Sequence, residues 1–467
     1  MTDPALRRLA ASVVLPGFVG TTVPEWLRRE LDAGLAGVCL FGQNVVDDVQ
    51  VRALTGALHD VRDGVLVTAD EEGGSVTRLE SDAGSRWPGA AALGALDDVV
   101  ATEQVARGLG AQARAAGIDV VLGPVADVNS EPDNPVIGER SFGADPALVG
   151  RHVASSVRGL QSAGVAACAK HFPGHGATRV DSHLSLPRVD ADEATYRARD
   201  LAPFADAVAA GTRCVMTAHV VVSALDDRPA TTSPRVLGLL RDDLGFDGVI
   251  VSDALDMGAM PRREDAAVAA LAAGVDLLCI GNPVFPDGYD DEAAARSVVD
   301  ALVAAVRSGD VAGERLEQAA ARVASLAVPG AALGADVAHR ALTVTGDVAL
   351  APGAVALLAP TEVGIAAGRR PSRLAPLLGA VEVPDANAVP ALLDRAAGRD
   401  VAVVVEGRSG PATRKVVEAV LAARSDAVVV HVGPADHDGP TAARSVVTHA
   451  GGLAAAWAAA DALGVAR

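Results

Sequence analysis

The chain has 467 residues, half of them hydrophobic but only 3% aromatic, and a formal charge of −19 from 40 Lys and Arg against 59 Asp and Glu. That length suits two domains, with a core of Ala, Val and Leu of the kind that buried parallel strands and their covering helices use. The acidic balance argues against a nucleic-acid or anionic-membrane surface, because either needs a basic patch.

Near the start, Arg7 and Arg8 followed by LAASVVLPGFVG imitate a secretory leader. The run lacks an A-x-A-type cleavage site and reads equally well as holding a first strand, VVLPGF (13–18), so the expected location is the cytoplasm. Seven further apolar runs follow: GVCLF (37–41), VLVTAD (65–70), VVLGPVAD (120–127), VAACAKHF (165–172), CVMTAH (214–219), GVIVSDA (248–254) and VDLLCIG (275–281). Between them lie helical patterns such as PEWLRRELDAG and RARDLAPFADAVAAG. Eight strands alternating with helices predict an α/β fold, a TIM-type (β/α)8 barrel ahead of a doubly wound open sheet. A closing amphipathic helix over 308–328 ends a first domain, 1–328. A linker over 329–345 begins with PGAALGAD, and GAVALLAP, VAVVVEG and DAVVVHVGP then predict a smaller parallel α/β sandwich over 346–467. Cys39, Cys168, Cys214 and Cys279 all fall inside apolar runs without a C-x-x-C pair, which predicts buried free thiols and a reducing compartment.

Chemistry gathers where the runs end. Asp70, Asp127, Lys170 with His171, His219, Asp253 and Asn282 all stand at C-terminal ends of runs, the end at which barrel enzymes carry their sites. Lysine occurs only at Lys170 and Lys415 in a chain rich in arginine, so Lys170 marks a place for a compact ammonium. Asp253 reads as a nucleophile fixed by rigid backbone, or as a plain helix N-cap. The loop AKHFPGHGATRVDSHLSLP (169–187) carries Asp181 and His183 two residues apart, so the carboxylate can orient an imidazole that exchanges protons near neutrality. His171, His175, Asp181 and His183 could instead be metal ligands. No H-E-x-x-H helix accompanies them, and the expectation is no metal and no cofactor. His175 and His219 read equally well as structural. Asp70, Arg78 and Arg140 read as a rim that binds hydroxyls, with surface ion pairs as the plain alternative.

These motifs resemble glycoside hydrolase family 3, in its β-N-acetylglucosaminidase branch. GVCLFGQNV, DEEGGSVTRL, NPVIGERSFG, KHFPGHGATRVDSHLSLP, VMTAHV and LGFDGVIVSDALDM carry the resemblance, which runs on to VAHRALTVTGD. It implies a retaining mechanism with Asp253 as nucleophile, His183 as acid/base and Asp181 paired with it. Asp70, Arg78, Arg140, Lys170 and His171 correspond to the family's substrate-binding positions. Where the family often writes S-D-D-L-S-M, this chain has Ser252, Asp253, Ala254, Leu255, Asp256 and Met257. The implied activity is an exo-acting β-N-acetylglucosaminidase on a small glycoside or muropeptide. A phosphorylase, a β-glucosidase and a non-catalytic sugar-binding protein are the alternatives. Some relatives take the acid/base from the second domain, where Glu406 or His431 could serve, but the Asp181/His183 pair makes that unnecessary.

Overall fold

A computed structural model describes residues 3–82, 84–180, 185–281, 289–326, 343–360, 374–406, 410–432 and 442–448, with 459, 462 and 463. The chain divides into two compact units, Met1–Val328 and Pro329–Arg467.

The first unit is built on eight short parallel strands: β1 (Val14–Pro16), β2 (Gly37–Leu40), β3 (Leu66–Ala69), β4 (Val120–Val121), β5 (Ala166–Phe172), β6 (Cys214–Thr217), β7 (Val249–Ser252) and β8 (Leu278–Ile280). Strands β2 to β7 form one sheet in chain order, and β8 pairs with β1. Backbone hydrogen bonds link the pieces on both sides: Ala36 N–H donates to Val14 O at 3.2 Å, Ser252 N–H to Leu277 O at 2.8 Å and Leu277 N–H to Ile250 O at 3.0 Å. The strands therefore follow one another round a TIM-like barrel.

Alternation along each strand sorts the side chains. Leu15, Cys39, Leu66, Val120, Cys168, Cys214, Val249 and Cys279 pack with one another in an inner cluster. Val14, Val38, Leu40, Val67, Ala167 and Ile250 join the larger cluster that takes in the helices. All four cysteines are buried and free. Helix starts follow local chemistry: the Asp47 carboxylate accepts the N–H groups of Val49 and Gln50, Asp98 accepts those of Val100 and Ala101, and Asp145 accepts that of Ala147. Among the described residues no helix is long and apolar enough to cross a membrane.

The first apolar run, VVLPGF (13–18), contains β1 at Val14–Pro16, and the amphipathic helix Asp3–Ala11 precedes it. One sequence expectation needs correction. The fourth run is paired regularly only over Val120–Val121. Pro124 has no N–H to donate, and pairing resumes as a single bridge between Val125 and Lys170.

At the N-terminal end of β8, opposite the chemistry, the buried Asp276 carboxylate gathers three guanidinium groups. Arg315 Nη2 lies at 2.8 Å and Arg322 Nη1 at 3.3 Å, and Arg241 bonds the second oxygen. The same oxygen accepts the Ile250 N–H of β7 at 3.0 Å.

The second unit holds one six-stranded sheet: β9 (Thr343–Thr345), β10 (Val355–Leu358), β11 (Val381–Glu382), β12 (Val401–Glu406), β13 (Val428–Val432) and β14 (Arg444–Val447), in spatial order β9-β14-β13-β12-β10-β11. It is not wholly parallel. β9 runs antiparallel to β14 at one edge, exposed along its length, a place where a parallel sheet tolerates a reversed strand.

Candidate active site

The functional side chains stand where the strands give way to loops. Asp70 follows β3, Asp127 follows β4, Lys170 and His171 lie near the end of β5, and Asp253 follows β7. All belong to the same, C-terminal end of parallel strands.

Lys170 organises the first group. Its side chain is 1% exposed, and Nζ lies 2.6 Å from both Asp70 Oδ1 and Glu72 Oε1. The other Asp70 oxygen accepts from Arg78 Nη2 at 2.8 Å. Arg140 grips Glu72 with two parallel bonds, Nε at 2.9 Å and Nη2 at 2.8 Å, the bidentate geometry that makes such pairs strong. Burial opposes the charge on Asp70, but Lys170 and Arg78 outweigh it and hold the carboxyl well below the usual range. Glu72 behaves alike: burial works against its charge, and Lys170 and Arg140 bring it down to about 2. Both carboxylates are therefore ionised at neutral pH, and as acceptors they suit hydroxyl donors. A short hairpin places them. The Glu71 side chain accepts Thr77 Oγ1–H and the N–H groups of Arg78 and Leu79, which folds residues 71–79 back so that Arg78 meets Asp70.

Asp127 organises the second group. Fully buried, it accepts three donors: His171 Nδ1–H at 2.7 Å, His171 N–H at 3.3 Å and His175 N–H at 2.6 Å. Arg140 Nη2 lies 3.3 Å from His171 Nε2. Arginine only donates and an ionised carboxylate only accepts, so both contacts are met by one imidazole form, protonated at Nδ1. Burial opposes the Asp127 charge as well, and His171 and His175 draw its carboxyl below the ordinary value. Taken together, Asp70, Glu72 and Asp127 face Arg78, Lys170 and Arg140, three charges of each sign in one connected network.

The root of the histidine loop is tied down beside it. Asn134 donates to His175 O at 2.9 Å, Arg179 pairs with Glu131 at 2.7 Å, and Gly176 packs so close to Val128 O that a Cβ would sit 1.9 Å from it. Burial lowers His175 below its ordinary value, opposed by the charges of Asp127 and, more weakly, Asp253. Asp181 and His183 lie outside the described residues.

Asp253 is partly exposed, and its Oδ1 accepts the N–H of Ala254 at 2.8 Å. His219, also buried, has both ring nitrogens engaged by the protein, Nδ1 with Thr231 Oγ1 at 2.8 Å and Nε2 with Ala254 O at 2.9 Å. Its ring thus braces the backbone beside Asp253. Among the described residues no three His, Cys, Asp or Glu side chains stand together in an arrangement that would hold a metal ion.

The network thus joins Asp70, Arg78, Arg140, Lys170 and His171, and Asp253 shares their strand end. Sequence reasoning missed Glu72, and it placed Asp127 at a strand end without giving it a role. Glu72 stood two residues beyond Asp70, the spacing that returns a side chain to the same face of an extended segment, and that was its legible signal.

The sequence model of the Glycosyl hydrolase family 3 N terminal domain matches residues 19–326, nearly the whole of the first unit. The chain belongs to glycosyl hydrolase family 3. Relatives of this glycoside hydrolase include Beta-hexosaminidase A of Pseudoalteromonas piscicida, 35% identical over 334 residues that cover 66% of this chain and 55% of that protein. The Beta-hexosaminidase of Stenotrophomonas maltophilia is 34% identical over 341 residues, 65% of this chain and 98% of that one. Among solved structures, the family 3 β-N-acetylglucosaminidase of Paenibacillus sp. str. FPU-7 aligns with a TM-score of 0.66 at 30% identity, covering 100% of this chain and 97% of that chain. NagZ from Neisseria gonorrhoeae in complex with N-trifluoroacetyl-D-glucosamine aligns with a TM-score of 0.55 at 32% identity, covering 68% and 97%.

Proposed function

We propose that this glycoside hydrolase is a retaining exo-β-N-acetylglucosaminidase, releasing terminal GlcNAc from cell-wall or chitin-derived fragments in the cytoplasm. The observation that supports the reading is that Asp253 stands at the same end of the barrel strands as the network of Asp70, Glu72, Arg78, Lys170 and Arg140. The names of the relatives supply the sugar class.

In this reading the sugar hydroxyls donate to Asp70 and accept from Lys170, Arg78 and Arg140, charge-assisted bonds that fix the ring. An Asp253 oxygen attacks the anomeric carbon as the bond to the leaving oxygen breaks, giving a glycosyl ester. His183, oriented by Asp181, protonates that leaving oxygen and later takes the proton of the water that cleaves the ester. The first domain, over 1–328, is in this reading a complete (β/α)8 barrel; the linker from 329 ends before β9, since Thr343–Thr345 belongs to the second sheet, and an α/β sandwich follows.

The test is Asp253→Ala on a chromogenic β-GlcNAc substrate. Release of the aglycone should fall by at least about a thousandfold, the scale of loss when a covalent nucleophile is removed. Turnover near the wild-type rate would refute the assignment, and a GlcNAc 1-phosphate product in phosphate buffer would move the chain to the phosphorylases.

A further inference from the structure

The loop that carries Asp253 is bound to both of its neighbours. On one side Asp253 N–H donates to Thr217 O of β6 at 3.2 Å, and His219 holds Ala254 O. On the other, Leu255 N–H donates to Cys279 O of β8 at 3.0 Å. Asp256 completes that second side. Its Oδ2 accepts Gly281 N–H at 2.8 Å and the Tyr289 hydroxyl at 2.9 Å, while Oδ1 accepts Arg263 Nη1 at 2.6 Å. The Arg263 guanidinium also stacks over the Tyr289 ring, 5.5 Å from its centroid. The contact is close-fitted: a Cβ on Gly281 would stand 3.2 Å from Asp256 Cβ and 3.5 Å from Ala254 Cβ.

Position 256 is one of the two at which this chain departs from the S-D-D-L-S-M pattern, Ala254 being the other. A serine hydroxyl offers a single oxygen on a shorter stem, and it cannot meet a guanidinium on one side and two donors on the other. A carboxylate can, because it has two oxygens and no hydrogen of its own. We propose that Asp256, clasped by Arg263, Tyr289 and Gly281, is the positioning residue of the Asp253 loop, fixing the attacking oxygen against the exit of β8. The inference rests on Asp253 being the nucleophile. It adds that the attack geometry in this chain is set from the β8 side by a carboxylate three residues further on. Asp256 does not touch the sugar; it acts through the backbone of 253–257.

An activated 5-fluoroglycosyl fluoride of GlcNAc isolates the step. The Asp253 oxygen forms an ester with the anomeric carbon, the C–F bond there breaks, and fluoride leaves with the electron pair. Labelling is read by intact mass and peptide mapping, and ground-state binding by the affinity for free GlcNAc. Asp256→Asn puts an amide N–H against one of the three donors and should slow labelling by about tenfold, the effect of a small misplacement of reacting groups. Affinity for GlcNAc should stay within about twofold, since positioning of the nucleophile is not ground-state binding. Tyr289→Phe removes one donor and keeps the rest, so an intermediate slowing of about threefold is expected from a single hydrogen bond. Asp256→Asn that labels at the wild-type rate overturns the proposal, and so does a variant in which labelling and GlcNAc affinity fall together. A wild-type chain that takes no label at Asp253 removes the nucleophile itself, and the positioning role with it.

Discussion

Lys170 stands between Asp70 and Glu72, its ammonium 2.6 Å from an oxygen of each and closed off from solvent. Lys170→Met leaves two buried carboxylates facing one another. Stability in urea should fall by about 3–5 kcal/mol, the cost of breaking a buried ion pair from one side. Lys170→Arg keeps the charge but brings a planar fork into a space shaped for a point. It should fold and yet raise KM for a chromogenic GlcNAc substrate at least about tenfold. An arginine variant with wild-type KM would mean that Lys170 is scaffold alone.

Asp127 offers a sharper test because it serves three donors. Asp127→Asn turns one acceptor oxygen into an N–H that must face either the His171 ring or the backbone of 171 and 175. One bond is lost and one donor is left buried, at about 1–3 kcal/mol. kcat/KM should drop about 10- to 100-fold, and hydrogen exchange of the His175 amide should quicken. Slower turnover with unchanged exchange would separate the histidine ring from the loop root.

Acid sensitivity follows from signs. Glu72 is held at about 2 when folded, against an ordinary value of 4.5. Its contribution is therefore complete above about pH 4.5 and is lost as pH falls through about 2. His175 is also lowered, and for a base this means that the unfolded chain takes the proton first. Stability drains away as pH falls through its ordinary value of about 6.5. Urea unfolding midpoints between pH 7 and 3 should show His175→Gln flattening the upper part of this decline and Glu72→Gln the lower part. A wild-type slope retained in both variants would contradict the assignment.

Leaving-group chemistry tests the acid. A good leaving group needs little protonation, so His183→Ala should cost an activated aryl GlcNAc less than about tenfold and an alkyl GlcNAc more than about a hundredfold. The comparison of kcat/KM on the two substrates reads this directly. Equal losses would take the acid role from His183.

Much of this was legible beforehand, for a physical reason. Strand ends are announced by an apolar run that stops, so Asp70, Lys170 and Asp253 could be placed from pattern alone. The scarcity of lysine singled out Lys170. Glu72 and Asp127 were harder, since their importance is a matter of who faces them. Glu72 is one acid among three in a row, and the two donors that claim it lie 68 and 98 residues away. The Asp256 clasp is similar: Arg263 and Tyr289 look like ordinary surface polar residues until the loops after β7 and β8 are seen side by side. The shortened fourth strand had a local cause, a proline without an N–H to donate.

The Asp276 clasp has a consequence for how far this protein can be altered. Three arginines and one aspartate knot the seam beside β8 at the floor of the barrel, at the far end from Asp70, Lys170 and Asp253. Ring closure there is underwritten by charge and does not draw on the loops above. Upper-loop residues outside the Lys170, Asp127 and Asp256 contacts are the ones to exchange for another glycoside while the seam holds, and an engineer seeking new specificity should leave the four residues of the knot untouched.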